Sequence, residues 1–204
     1  MASEIRLAAE KDAAGIAEIY APIVQSTAIS FEVQPPDAPE IERRLEASRS
    51  AYPWLVVEQQ GRVAGYAYAS RHRARAAYQW SVDTSVYVHR DFRRCGIGRG
   101  LYVSLFRILA AQGYANAYAG IALPNPPSAR LHEAAGFQPI GVYRSVGYKL
   151  GAWHDVGWWQ LALQPSLAAP QPPLTLVEVQ GAASWQPMLD AGLPFIRERT
   201  GGLR

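Results

Sequence analysis

The stretch Arg93-Arg94-Cys95-Gly96-Ile97-Gly98 follows a strand-like run, Ser85-Val86-Tyr87-Val88, and opens a helix-like one, Leu101-Tyr102-Val103-Ser104-Leu105-Phe106. That setting predicts an anion cradle. The first four backbone N–H groups of a helix have no partner inside it, and the helix dipole favours negative charge there. Gly96 and Gly98 allow a diphosphate to come close to bare backbone. Three kinds of loop compete for the pattern. A Walker loop would end in Gly-Lys-Ser/Thr, which is missing. A dinucleotide fold wants a third glycine where Leu101 stands and an acidic residue about 20 positions on, yet no Asp or Glu lies between Phe92 and His132. Arg-x-x-Gly-x-Gly remains, and a glycine-rich turn with solvated arginines is its plainest alternative.

Working outward, Ile5-Arg6-Leu7 alternates like a short strand, and Asp12 is placed to cap a helix carrying Ile16, Ile19, Tyr20 and Ile23 at helical spacing. Three prolines precede a charged helix over about residues 39–50. Two apolar runs, Trp54 to Glu58 and Val63 to Tyr68, flank Gln60-Gly61 and read as a hairpin. The next strand, Trp80 to Val88, leads into the cradle. Beyond it come a helix from Leu101 to Gln112 stopped by Gly113, a buried strand over residues 115–122, and a turn at Pro124-Asn125-Pro126-Pro127. Ser128 is expected to cap a short helix, and two strands, about residues 137–150 and 155–163, close the domain. The order predicts an α+β layered fold, with a mixed, mostly antiparallel central sheet flanked by helices and the cradle between a central strand and a helix.

With 204 residues, about half of them hydrophobic, the chain can bury one good core. A net charge of +3 is too weak to argue for nucleic acid, although arginines cluster over residues 71–75 and 90–99 and suit a small polyanion. Cys95 is the sole cysteine, so no intrachain disulfide forms, and a cytoplasmic setting is expected. Its spacer position in the loop argues against a thiol nucleophile. No long apolar run marks a membrane segment, and no metal is expected. Residues 1–163 are read as the domain and 164–173, rich in Pro, Ala and Gln, as a linker. Residues 174–204 form an extension of unknown role, expected to dock, with Leu174, Leu176, Val177 and Val179 suited to an added edge strand and Trp185, Leu189, Leu193 and Phe195 to packing on the domain or on a partner.

Further segments join the cradle: Tyr52-Pro53-Trp54-Leu55-Val56, Arg75-Ala76-Ala77-Tyr78-Gln79-Trp80, Leu123-Pro124-Asn125-Pro126-Pro127-Ser128, Arg130-Leu131-His132-Glu133-Ala134, and Gly147-Tyr148-Lys149 with Trp153-His154-Asp155-Val156. Together, from about Ile5 to Leu163, they resemble the phosphinothricin and methionine sulfoximine N-acetyltransferases of the GNAT superfamily. The resemblance implies a GNAT-type fold using acetyl-CoA as co-substrate, a small-molecule amine as acceptor, and a homodimer. It implies cofactor contacts from the backbone of Val86, Tyr87 and Val88, from Arg93, Arg94, Cys95, Gly96, Ile97, Gly98 and Arg99, and from Asn125 and Ser128. The last two read equally as a turn residue and a helix cap.

Acetyl transfer needs a neutral amine and a stabilised oxyanion. The family's glutamate base falls at Asp83, one methylene shorter, so its contact is either direct or through water. His132 matches a histidine near the acyl site, implying a catalytic or orienting role, whereas His154 reads as structural. The resemblance places Arg73 and Arg75 as a basic pair for the acceptor, with Tyr78, Thr84 and Ser85 beside them and Phe31 and Tyr68 on the apolar side. A guanidinium pairs with a carboxylate or phosphinate through two parallel hydrogen bonds. The activity implied is acetylation of the α-amine of phosphinothricin, methionine sulfoximine or methionine sulfone. Alternatives are a protein N-terminus, a polyamine, which the two arginines would repel, or a CoA-binding sensor without turnover. Nucleic-acid binding is disfavoured because no aromatic and basic stripe is present.

Overall fold

Alternating burial in Ser81–Val88 (β4), the strand leading to the glycine-rich loop, shows how this chain builds its layers. Val82 and Thr84 are buried on one face, whereas Asp83 and Ser85 look to the other. The computed structural model describes residues 3–165 and 168–198. Ahead of β4 lie Glu4–Leu7 (β1), Ala13–Ser26 (α1), Ala38–Ser48 (α2), Trp54–Gln59 (β2) and Arg62–Arg71 (β3). After it come Ile97–Gln112 (α3), Asn116–Leu123 (β5), Pro126–Ala134 (α4), Gln138–Lys149 (β6) and Ala152–Ala162 (β7).

The strands make one seven-stranded sheet in the order β1-β2-β3-β4-β5-β7-β6, antiparallel throughout except for the β4–β5 pair. This is the expected α+β layered architecture. Both faces of the centre are covered, which explains why β2 reads as a continuous apolar run. Leu55 and Val57 pack under α3 with Leu101, Leu105 and Ile108, while Trp54 and Val56 pack under α1 and α2 with Ile16, Ile19 and Ile41. No described helix is long and apolar enough to cross a membrane.

Several expectations need correction. Helix α3 starts at Ile97 rather than Leu101. Gly98 and Gly100 weaken the helical signal of that turn, yet Gly100 is a packing requirement: a Cβ there would meet Ile196 at 2.7 Å and the Gly192 carbonyl at 2.8 Å. Asn125, not Ser128, caps α4, its Oδ1 accepting from the Ser128 amide at 3.3 Å with Pro126 as first helical residue. Asp12 makes no side-chain cap to α1; its carboxylate instead accepts from the Ala9 amide and from Arg6.

The extension docks, but not as a strand. Leu176–Gln180 (α5) and Trp185–Asp190 (α6) are helices whose Leu176, Val179, Met188 and Leu189 enter the α3 side of the core. Thr175 and Glu178 form a reciprocal capping box, with the Glu178 carboxylate accepting from the Thr175 amide at 2.7 Å. That local satisfaction of helix N–H groups outweighs the strand preference of Val177 and Val179.

Candidate active site

Strands β4 and β5 pair over only three rungs, Ser81 with Asn116, Val82 with Ala117 and Asp83 with Tyr118. Past Asp83 they diverge, although β4 continues to Val88 and β5 to Leu123. The β5-facing backbone of Thr84 to Val88 is therefore a strand edge inside the fold, suited to an extended, amide-bearing partner. The opening is lined by Thr84, Tyr87, Gly120, Asn125, Ser128 and His132, among others. At its mouth stands the glycine-rich loop. Arg94 has φ 63° and Gly96 φ 80°, and α3 begins immediately after. A Cβ on Gly96 would collide with the Phe195 carbonyl.

The extension supports this loop from one side. The Arg197 amide donates to the Cys95 carbonyl at 2.9 Å, and the Arg197 guanidinium donates to the Arg94 carbonyl at 2.8 Å. Because a trans peptide points its N–H opposite to its C=O, the Cys95 and Gly96 amides turn away from the extension. Arg99 lies over the Phe195 ring at 4.3 Å, so it packs on the extension as well. Arg93 and Arg94 carry exposed side chains with no carboxylate partner among the described residues. The Cys95 side chain packs against the core, and its thiol lies 3.7 Å from the Arg93 carbonyl.

Asp83 sits at the closed end of the opening, on the last paired rung. Burial raises its carboxyl above the ordinary value, and a hydrogen bond with His72 pulls it back. His72 Nδ1 lies 2.6 Å from Asp83 Oδ1, and its ring stacks on Tyr118 with centroids 4.3 Å apart. The sequence reading did not include His72, although strand periodicity holds the signal. Ser70 pairs with Asp83, and a residue two positions further along shares that face.

Ser85 and Tyr68 pair across β3 and β4 on the Asp83 side, Tyr68 stacking on Trp54 at 4.1 Å. Thr84 does not join them: it is 4 % exposed, points to the α3 side and donates to the Tyr118 carbonyl at 3.3 Å. It lines the cleft with His132, on the face opposite Asp83 and Ser85. Tyr78 meets the edge of His72 at 5.9 Å, and the Arg73 guanidinium lies over Trp158 at 5.5 Å. Arg75 is exposed and unpaired among the described residues. Phe31 reaches from the α1–α2 connection to Gly147 and His154. Trp158 Nε1–H is buried with no acceptor among the described residues, a cost of about 1–3 kcal/mol unless a ligand supplies one.

His132 has both nitrogens engaged, Nδ1 with the Ser128 carbonyl at 2.8 Å and Nε2 with the Tyr102 hydroxyl at 2.7 Å. Burial lowers its affinity for a proton. With both nitrogens bonded inside the fold, the ring is held in one orientation. A roomier concavity, about 890 Å³, lies elsewhere, between α2 and α5. Its lining is the charged helix face of Glu42, Arg43, Glu46 and Arg49, away from the strand edge, and the cleft is the candidate site.

A strand-edge cleft, a loop of free amides at a helix start, and an acid where the strands part define an acyl-carrier-dependent transferase fold. The Acetyltransferase (GNAT) domain model matches residues 5–158. The chain belongs to the GNAT acetyltransferase family. It is 42 % identical over 175 residues, 85 % of this chain and 96 % of the relative, to a phosphinothricin N-acetyltransferase of Streptomyces viridochromogenes. An L-methionine sulfoximine/L-methionine sulfone acetyltransferase of Pseudomonas paraeruginosa is 35 % identical, over 83 % of this chain and all of the relative. The solved phosphinothricin acetyltransferase of Sinorhizobium meliloti, in complex with acetyl-CoA, superposes with a TM-score of 0.76 at 34 % identity, covering 84 % of this chain and 94 % of that one.

Proposed function

We propose that this enzyme transfers the acetyl group of acetyl-CoA to the α-amine of a small acidic amino-acid analogue of the phosphinothricin, methionine sulfoximine or methionine sulfone class. The observation that carries the reading is the half-buried acid Asp83 on the rung where β4 and β5 part. Acetyl-CoA supplies the activated acyl group. The loop amides from Arg94 to Arg99 hold its diphosphate, the Val86 to Val88 backbone aligns its arm, and Asn125, whose Oδ1 already caps α4, keeps its Nδ2–H₂ for that arm. Arg73 and Arg75 receive the acceptor's acidic group, with Ser85, Tyr68 and Tyr78 around it and Phe31 beyond. Asp83 supplies general-base assistance at the amine, and attack is direct, without an acyl-enzyme.

The chain is further read as a homodimer through the β6–β7 hairpin. Ile140, Tyr143, Tyr148 and Trp153 there are each about half exposed or more, an apolar face that asks for cover. A sedimentation velocity run giving only the monomer mass would remove that part. One cysteine and no disulfide suit the cytoplasm.

The test is release of free CoA from acetyl-CoA with phosphinothricin, methionine sulfoximine, methionine sulfone and a polyamine control. Turnover is expected on the three acidic analogues, falling by ~10²-fold in Asp83→Asn. Tight acetyl-CoA binding with no CoA release on any amine would overturn the reading.

A further inference from the structure

We propose that the terminal proton acceptor of the transfer is Nε2 of His72, with Asp83 holding the imidazole by its Nδ1. This rests on the acetyltransferase reading above and refines the part given there to Asp83, which acts through the ring. An ionised carboxylate can only accept, so at 2.6 Å the Nδ1 atom must carry the hydrogen. The neutral ring then presents its lone pair at Nε2, and that atom has no partner among the described residues. The tautomer is thus set by Asp83, as in other carboxylate–imidazole pairs.

The ring is also fixed in place. Its side chain is 11 % exposed, flat against Tyr118 with 15° between planes, and edge-on to Tyr78 and to Trp158, whose centroid is 6.3 Å away. Tyr118 is the β5 partner of Asp83 on the last common rung, so the ring stands where an acyl group reaching the closed end of the cleft would arrive. The groups facing it are few. They are the Asp83 carboxylate on β4, the Tyr118 hydroxyl on β5, the Tyr78 hydroxyl in the turn before β4, and the Arg73 guanidinium beside Trp158 on β7.

The other three histidines are otherwise engaged. His132 has both nitrogens bonded, His89 Nδ1 accepts from the Asp91 amide and its Nε2 lies beside Arg62, and His154 Nε2 bonds the Lys149 carbonyl. Chemistry favours an imidazole over a carboxylate here. An imidazole is in general the stronger base, its ordinary value lying nearer to that of an α-ammonium than a carboxylate's does. Burial of Asp83 narrows that gap, but Asp83 spends its basicity on the ring.

The step balances as follows. The ammonium gives one proton to His72 Nε2, and the amine lone pair forms the C–N bond as the C–S bond breaks. The sulfur leaves with the electron pair and takes the second nitrogen proton, giving free thiol. The imidazolium returns its proton to solvent.

Two measurements decide the matter. In the first, kcat and KM are followed from about pH 5.5 to 9.5 for the wild type, His72→Asn, whose amide nitrogen stands in for Nδ1 toward Asp83, and His72→Phe, which keeps the stack. Both variants should lose ~10²-fold or more in kcat, hold the acetyl-CoA KM within about twofold, and lose the limb that rises with pH near neutrality. Activity within about threefold of wild type with that limb intact would overturn the proposal. In the second, nitrogen NMR of the unliganded wild type should show a ring protonated at Nδ1 whose Nε2 titrates in the same pH range, with the tautomer released in Asp83→Asn. A ring protonated at Nε2, or one that does not titrate there, overturns the proposal without any substrate. Should the wild type turn over none of the amines, the substrate reading falls, and the NMR result alone judges His72.

Discussion

Arg75 opens the short turn before β4 with an exposed guanidinium that pairs with no acid among the described residues, one loop step from the His72–Asp83 pair. A charge-assisted hydrogen bond contributes about 1.5–3 kcal/mol, so Arg75→Ala should raise the KM for an acidic acceptor by roughly 10- to 100-fold. The acetyl-CoA KM should stay put. Steady-state kinetics on phosphinothricin checks this, and an unaltered acceptor KM moves the carboxylate site elsewhere. Single residues were legible to the extent that strand alternation was followed. Asp83 was singled out by the family resemblance, which places a glutamate base at that position of the strand. Thr84 belongs to the opposite face because it is one position on, and His72 belongs with Asp83 because β3 brings Ser70 opposite it and two further positions restore the face. Pairing register, not local composition, assembles this pair across eleven positions of sequence.

At the scale of elements, the loop and α3 form one device. Gly96 is left-handed, and a side chain there would collide with the Phe195 carbonyl, so Gly96→Ala carries both backbone strain and a clash. The expected result is a weaker acetyl-CoA complex, by about tenfold or more by calorimetry, together with a melting temperature several degrees lower. Full-strength binding in that variant would separate the loop from the diphosphate. The strand–loop–helix order and its glycine pattern were readable directly. The true start of α3 was not, because Gly98 and Gly100 look like helix breakers until the extension that fills the space beside Gly100 is known. The helix over Leu176–Gln180 was readable in principle from Thr175-x-x-Glu178, a signal that the β-branched residues between obscure.

Across the whole molecule, the centre of the sheet is covered on both faces, and ion pairs tie distant segments. Glu32 accepts two hydrogen bonds from Arg44, at 2.9 Å each, and one from Tyr20. The Arg44 hydrogen bonds hold its carboxyl below the ordinary value, against the effect of burial. A carboxyl depressed in the folded state stabilises above its unfolded value, about 4.3, and that contribution is lost as pH falls through the lower folded one. Thermal melts should therefore be level from about pH 7 to 5 and drop below about pH 4, with a shallower acid drop in Glu32→Gln. Identical acid limbs in the two proteins would contradict this.

The docking of the extension was legible from its apolar residues, but where it docks was not, since no local pattern links Arg197 to the carbonyls of Arg94 and Cys95. That clasp has a thermodynamic corollary. Residues 193–197 behave as a tethered ligand for the very loop proposed to receive the diphosphate, and a tether of this kind raises local concentration to the millimolar range without any added affinity. Whatever free energy the clasp lends to the bound cofactor, the cofactor must lend back to the clasp.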